Sequence, residues 1–71
     1  MTTIQDYCRG LGWSISDLMR QAGISYQAAS KAFYQEPVQA RTKRDICRAL
    51  SSAMEHEIKI VDVQWTEEKE D

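Results

Sequence analysis

The sequence ISDLMRQAGISYQAASK, from Ile15 to Lys31, decides the fold of this chain. Its first half has apolar residues at positions 15, 18, 19 and 22, which is the spacing of one face of a helix. Ser14 and Asp17 form an S-x-x-D capping box in front of that helix, and Gly23 is suited to end it. A second helix begins near Ser25, only three residues after the first ends. The pattern predicts two helices joined by a tight turn, which is a helix-turn-helix.

Apolar residues on both sides of this segment predict one more helix before it and one after it. The preceding helix has Thr2 or Thr3 as its N-cap and Gly10 and Gly12 as stops, and its apolar positions are Ile4, Tyr7, Cys8 and Leu11. The following helix is expected to open at Thr42, because Pro37 interrupts the chain before it. Its apolar positions are Ile46, Ala49, Leu50, Ala53 and Met54.

The residues from Glu57 to Trp65 have a different pattern. They are rich in β-branched side chains and predict a strand, which we take as the dimerisation element. A lone strand is not stable in a monomer, so we favour its pairing with the same strand of a second copy. The alternative is that it folds back along the helices of its own chain. The side chains expected at the dimer interface are Ile58, Ile60, Val61, Val63 and Trp65.

At 71 residues and 8.2 kDa the chain is expected to form one small folding unit. We predict a mainly α fold, a compact four-helix helix-turn-helix domain over residues 1–56 with a C-terminal β-strand over 57–65. Residues 66–71 are predicted to be an acidic, flexible tail. The sequence has no apolar run long enough to span a bilayer and no secretion signal, so we expect a cytoplasmic protein with two reduced cysteines.

The charges of the chain are distributed unevenly along the sequence. Residues 1–54 carry seven Lys and Arg against four Asp and Glu, whereas residues 55–71 carry two against seven. The net charge of −2 therefore hides a basic body and an acidic end. Four of the body cations lie between Arg41 and Arg48, so a nucleic-acid partner is compatible with the overall acidity.

The helix that begins near Ser25 has one apolar face and one polar face. Ala28, Ala29, Ala32 and Phe33 share the first face, and the second holds Tyr26, Gln27, Ser30, Lys31 and Tyr34. Every side chain of the polar face has a hydrogen-bonding group, and none is acidic. Gln can read adenine, Lys can reach guanine, and Tyr and Ser can contact base edges or phosphates. We expect this face to meet double-stranded DNA.

The recognition segment resembles the DNA-binding headpiece of the lac repressor family. The resemblance rests on Gly23-Ile-Ser-Tyr-Gln-Ala-Ala-Ser-Lys31, followed by Val38-Gln-Ala-Arg-Thr-Lys43 and then Ile46. It implies that Tyr26, Gln27 and Lys31 read bases, and that Ser25, Ser30 and Thr42 help to hold phosphates. The additional helix before the motif is similar instead to the Cro and phage-repressor group of the wider lambda-repressor-like fold.

We therefore expect a homodimeric transcriptional regulator of the phage or mobile-element type that binds an inverted-repeat operator. We expect it to act as a repressor. The base-reading residues are Tyr26, Gln27, Ser30 and Lys31, and the phosphate-binding residues are Ser14, Ser16, Ser25, Tyr34, Arg41, Thr42 and Lys43. Ser14 and Ser16 are included because backbone N–H groups at a helix N-terminus can hold a phosphate. We expect no catalytic residue, metal site, cofactor, membrane association or small-molecule inducer domain. The alternative is a protein-interaction module, such as an antitoxin or antirepressor, built on the same fold.

Overall fold

The computed structural model describes residues 2–66, and the described part is mainly helical. Four α-helices follow one another: α1 (Ile4–Leu11), α2 (Ile15–Ala22), α3 (Tyr26–Phe33) and α4 (Ala40–Met54). A single 3₁₀ turn, Ile60–Asp62, follows α4. The prediction of a compact four-helix, mainly α architecture is confirmed. None of the helices within residues 2–66 has the length and apolar character needed to cross a membrane.

Local signals in the sequence set the ends of the first three helices. The side chains of Thr3, Ser14 and Ser25 each accept a hydrogen bond from a backbone N–H three residues later. Gly12 and Gly23 end α1 and α2 in the left-handed conformation, at φ of 73° and 67°. The predicted capping box of Ser14 and Asp17 is present in full. These helices begin and end where side-chain caps and glycines satisfy the exposed backbone groups.

The predicted start of α4 is wrong by two residues. The helix begins at Ala40 with Gln39 as N-cap, and no side chain caps it. Thr42 therefore lies inside the first turn. Chain geometry explains the difference: Pro37 excludes helix just before it, and Gln39 is still extended at φ −70° and ψ 156°, so helical conformation begins with the next residue.

One hydrophobic core joins all four helices and the residues that follow α4. Its fully buried large side chains are Ile4, Cys8, Leu18, Ile46 and Leu50. The helix α2 packs against both α3 and α4, and α1 packs against α3. Ala29 and Ala32 bring the α3 backbone close to this core. Because α3 uses its small residues for packing, its long polar side chains point away from the core.

The predicted C-terminal β-strand is not supported in the described part of the chain. Residues 58–65, which we call the C-terminal strap, fold back on their own chain around the 3₁₀ turn. A single parallel bridge joins Thr2 to Val63. Ile58 and Val63 are buried in the core, and Ile60 and Trp65 are partly buried against it. The alternative arrangement, in which this segment lies along its own helices, is the one observed.

Hydrogen bonding explains why the strap is not a strand. The Ile58 N–H donates to Ser51 Oγ at 2.8 Å, and the Lys59 N–H donates to Asp62 Oδ2 at 3.0 Å. The N–H groups of Asp62 and Val63 donate to carbonyls within the 3₁₀ turn, and the Gln64 N–H donates to the Thr2 carbonyl at 2.9 Å. These donors are used within one chain and cannot form a ladder with a second copy.

The correction also affects the predicted dimer interface. Ile58 and Val63 are occupied by the core of their own chain, and among the five predicted interface residues only Val61 is exposed, at 69%. A homodimer therefore stays a prediction without the strand that suggested it. Of the predicted flexible tail, residues 67–71 lie outside the described residues.

Candidate nucleic-acid interface

The turn between α2 and α3 is held by backbone hydrogen bonds. The N–H groups of Gly23 and Ile24 both donate to the Met19 carbonyl, at 2.9 and 3.2 Å. Ser25 Oγ then accepts the Ala28 N–H at 3.1 Å and starts α3. Ile24 is half-buried and packs against the core. The turn therefore fixes α3 against α2, and the two helices are joined by three residues.

The two faces of α3 differ as the sequence predicts. Ala29 and Ala32 are buried, whereas Ala28 and Phe33 are only half-buried, so the core-facing side is narrower than expected. On the polar side Gln27 and Lys31 are exposed, Ser30 is half-exposed, and the rings of Tyr26 and Tyr34 are 53% and 61% exposed. The helix has no acidic residue. Its outer face offers donors and acceptors without a charge that would repel phosphate.

An open groove of about 420 Å³ lies between α3 and the beginning of α4. The turn and the outer face of α3 form one wall, and the loop before α4 with its first two turns forms the other. We call it the α3–α4 groove; its lining residues are Gly23, Ile24, Ser25, Gln27, Ala28, Lys31, Pro37, Val38, Gln39, Arg41, Thr42 and Asp45. Predicted base-reading and phosphate-binding residues thus share one concave surface, although they come from separate parts of the sequence.

Several predicted site residues lie outside this groove. Ser14 and Ser16 are exposed at the start of α2, where the Ser14 hydroxyl is engaged in the capping box. Tyr34 follows the last residue of α3, and its ring contacts that of Phe33 edge to face with centroids 5.3 Å apart. Lys43 lies on the first turn of α4, with its Nζ 5.7 Å from the centre of the Trp65 ring. Tyr26 and Ser30 lie on the exposed side of α3 without lining the groove.

Asp45 is a groove residue that the sequence analysis missed. Its carboxylate forms an ion pair with Arg48, one helical turn further along α4. Asp45 follows Arg41 by four residues, and this spacing places both on one face of a helix. The same spacing in the sequence could have identified Asp45. Its paired charge limits the repulsion that an anion in the groove would experience.

Both cysteines of the described part are buried, and its histidine is exposed. Burial raises the pKa of the Cys8 thiol to about 11 and also raises that of Cys47, so both stay protonated at neutral pH. His56 is exposed, and its Nδ1 lies 3.3 Å from the Glu57 carbonyl oxygen. Within residues 2–66 no three His, Cys, Asp or Glu side chains lie close enough to hold a metal ion.

No protein-family model, curated protein or solved structure matches this chain. The assignment of a function therefore depends on the geometry and chemistry of the α3 face and the α3–α4 groove.

Proposed function

We propose that this chain binds double-stranded DNA in a sequence-specific manner, with α3 in the major groove, and acts as a transcriptional regulator. The observation that carries the proposal is the exposed, acid-free face of α3 beside the basic first turn of α4. A protein surface that only needs solvation commonly includes Glu and Asp. Their absence favours a polyanionic partner.

The dimensions of α3 fit this role. An α-helix with its side chains is about 10–12 Å in diameter, and the major groove of B-DNA is about 12 Å wide. The turn holds α3 at its N-terminal end and directs Tyr26 and Gln27 outward from its first turn. In helix-turn-helix proteins the N-terminal residues of the recognition helix contact base edges. Gln27 and Lys31, one turn apart, are the side chains that we propose to read bases, with Tyr26 and Ser30 beside them.

The second wall of the α3–α4 groove supports contacts to the DNA backbone. Arg41 is exposed and Thr42 is half-exposed on the first turn of α4. No side chain caps this helix, so its first N–H groups are available to an acceptor such as a phosphate oxygen. Phosphate contacts set the orientation of a protein on DNA, and base contacts provide the specificity. We propose that Arg41 and Thr42 supply the first kind of contact and Gln27 the second.

The alternative function is a protein-interaction module. Two observations favour it: the exposed Tyr26 and Tyr34 rings, since tyrosine is enriched in protein interfaces, and the acidic Asp45 in the groove wall. The dependence of binding affinity on salt concentration distinguishes the two functions. DNA affinity should fall steeply between 50 and 200 mM salt because each phosphate contact releases counterions, whereas binding to a protein through tyrosines should change little.

Selection of bound sites from random DNA tests the proposal directly. We expect Gln27→Ala to cost about 1–3 kcal/mol on the selected site and to relax one base position. We expect Arg41→Ala to weaken binding equally on all sequences. Gln21→Ala on α2 and Arg9→Ala on α1, exposed residues outside the groove, are the matched controls. If Gln27→Ala kept the base preference of the wild type at every position, the proposed orientation of α3 would be contradicted.

The same selection tests the predicted homodimer. An inverted repeat among the selected sites, together with a dimer mass in solution, supports the homodimer that the sequence suggested. A single half-site with a monomer mass contradicts it and leaves DNA binding in place.

A further inference from the structure

We propose that Arg48 is a positioning residue for the DNA-binding surface, because it holds the Asp45 carboxylate and so leaves Arg41 available to a phosphate. This inference rests on the proposed function. It adds a residue outside the α3–α4 groove that sets how strongly the groove attracts DNA. It also explains how an acidic side chain can lie in a surface that binds a polyanion.

Three charged side chains lie on one face of α4. Asp45 follows Arg41 by four residues and precedes Arg48 by three, and residues at these spacings are neighbours on a helix. The two arginines lie in different places, since Arg41 lines the α3–α4 groove and Arg48 lines the neighbouring cleft between α2 and α4. The choice of arginine by the carboxylate therefore decides the charge that the groove presents.

The structure pairs the carboxylate with Arg48. The guanidinium N–H at Arg48 Nη2 donates to Asp45 Oδ1 at 2.5 Å. The side chain of Asp45 is 20% exposed, and that of Arg48 is 77% exposed. Arg41 is exposed and has no ion-pair partner within residues 2–66. The pair thus neutralises the carboxylate in the groove wall and leaves Arg41 with its full charge.

Loss of Arg48 would change the groove through Asp45. The carboxylate would lose its ion pair and would turn to Arg41, one helical turn before it. Arg41 would then be engaged by a carboxylate when a phosphate approaches. This effect requires the carboxylate and needs no contact between Arg48 and DNA. Because exposed ion pairs are weakened by water and salt, the expected changes in affinity are modest.

The chain contains a matched ion pair outside the groove. Arg20 Nη2 lies 2.5 Å from Asp17 Oδ1 in α2, with the same spacing of three residues, and neither residue lines the groove. The Asp17 carboxylate also accepts hydrogen bonds from the N–H and the hydroxyl of Ser14, so it stays held when Arg20 is replaced. Arg20→Gln and Arg48→Gln remove the same charge from the chain. They differ in whether a carboxylate of the groove is released.

A double-mutant cycle separates positioning from direct contact with DNA. The variants are Arg48→Gln, Asp45→Asn and their combination, and the dissociation constant is measured on a selected site and on a scrambled site at several salt concentrations. We expect Arg48→Gln to weaken binding to both DNAs about twofold to fivefold and to have no effect in the Asp45→Asn background. It should reduce the slope of log affinity against log salt by less than the value of about one expected for Arg41→Ala. Arg48→Lys should restore most of the affinity, and Arg20→Gln should have a smaller effect than Arg48→Gln.

The arginine side-chain resonances test the same pairing without DNA. In the presence of Arg48, Asp45→Asn should shift the guanidinium resonances of Arg48 more than those of Arg41. In the Arg48→Gln background, Asp45→Asn should shift the Arg41 resonances more than before, because the carboxylate has turned to that side chain. Neither substitution removes a side chain of the buried core, so both variants are expected to fold.

The outcomes distinguish this inference from the proposed function. Equal losses of affinity on Arg48→Gln with and without the Asp45 carboxylate would mean that Arg48 contacts DNA itself. That result, the absence of any loss, a loss equal to that of Arg20→Gln, or an Arg41 resonance that does not respond in the Arg48→Gln background overturns the positioning role while DNA binding stands. If the wild type binds no DNA, the proposed function fails, and the arginine resonances alone then decide whether Arg48 keeps the carboxylate from Arg41.

Discussion

Two regions of the chain are rich in apolar residues: the segment from Ser14 to Tyr34, which holds α2, the turn and α3, and the C-terminal strap. The first is defined by contacts between residues close in sequence, and the second by contacts with distant residues. The first is bounded by a capping box, a left-handed glycine and a serine cap, all within a few residues of the helix ends that they define. The strap has one local contact of this kind, from the Lys59 N–H to Asp62 Oδ2, and this contact lies within the 3₁₀ turn. Its conformation is set by Ser51, seven residues before Ile58, and by Thr2 at the other end of the described chain. The structure of the first segment can be predicted from sequence because its contacts are local. The structure of the strap could not be predicted because its contacts are with distant residues.

The largest expected effect is the loss of folding free energy when a buried side chain of either region is shortened. Leu18→Ala in α2 removes a fully buried side chain and should lower the free energy of unfolding by roughly 3 kcal/mol. Val63→Ala in the strap removes two methyl groups from a buried site and should cost roughly 1.5 kcal/mol. Urea denaturation measures both, and the exposed Val61→Ala should change stability by less than about 0.5 kcal/mol. A Val63→Ala variant as stable as Val61→Ala would mean that the strap does not belong to the core.

The next comparison is between two serines that accept a backbone N–H, Ser51 of α4 for the strap and Ser14 for the start of α2. Ser51→Ala leaves the N–H of buried Ile58 without its partner and should cost about 2 kcal/mol. Ser14→Ala removes the cap of the exposed start of α2 and should cost about 1 kcal/mol. Thermal unfolding of the two variants, with the exposed Ser52→Ala as control, tests this order. The reverse order would indicate that water replaces Ser51 at the strap.

Of the helix ends with left-handed residues, those of α2 and α4 should respond in opposite directions. Gly23→Ala should destabilise the protein by roughly 1 kcal/mol, and this cost is conformational because no atom lies within 4 Å of the added Cβ. Glu55→Gly, at φ 58° after α4, should stabilise it by up to about 1 kcal/mol. Chemical denaturation of both variants measures the pair. Destabilisation by Glu55→Gly would contradict this account of the α4 end.

The smallest expected effect is the pH dependence of stability that Asp17 causes at the start of α2. Hydrogen bonds from the Ser14 backbone and from Arg20 lower the pKa of the Asp17 carboxyl below its usual value of 3.8. The unfolded chain therefore takes up this proton first as the pH falls. The resulting stabilisation is present in full above the unfolded pKa and is lost as the pH falls through the folded pKa. Asp17→Asn should be slightly less stable than the wild type at pH 7, and the difference should disappear in strong acid. A difference that is constant with pH would exclude this linkage.

Much of the fold and part of the site could be predicted, and the reasons are physical. Ser14 and Gly23 act on backbone groups close to them in sequence, so their roles follow from spacing. At α1 the sequence left Thr2 or Thr3 and Gly10 or Gly12 open, and the structure has Thr3 and Gly12 at the helix ends. The polar positions of α3 follow in the same way from the helical period. The start of α4 had no capping side chain to mark it.

Tertiary contacts account for what the sequence did not reveal. The groove position of Asp45 depends on how α4 packs beside α3, and the strap depends on the distant Ser51 and Thr2. The β-branched residues of the strap favour extended backbone in general. They do not specify whether a neighbouring strand or the chain's own helices will cover them.

The bridge between Thr2 and Val63 has a consequence for the order of folding. It joins residues 61 positions apart, whereas α2 and α3 meet across a three-residue turn. Local contacts form early and distant ones require closure of a long loop, so the helical pair should assemble before the strap docks. Hydrogen exchange in the native state reports the reverse process. The amide of Gln64 should exchange through a local opening that leaves the amides of α2 protected. The strap would then be the last part of this protein to fold, and a chain with an undocked strap would still have α2 and α3 assembled.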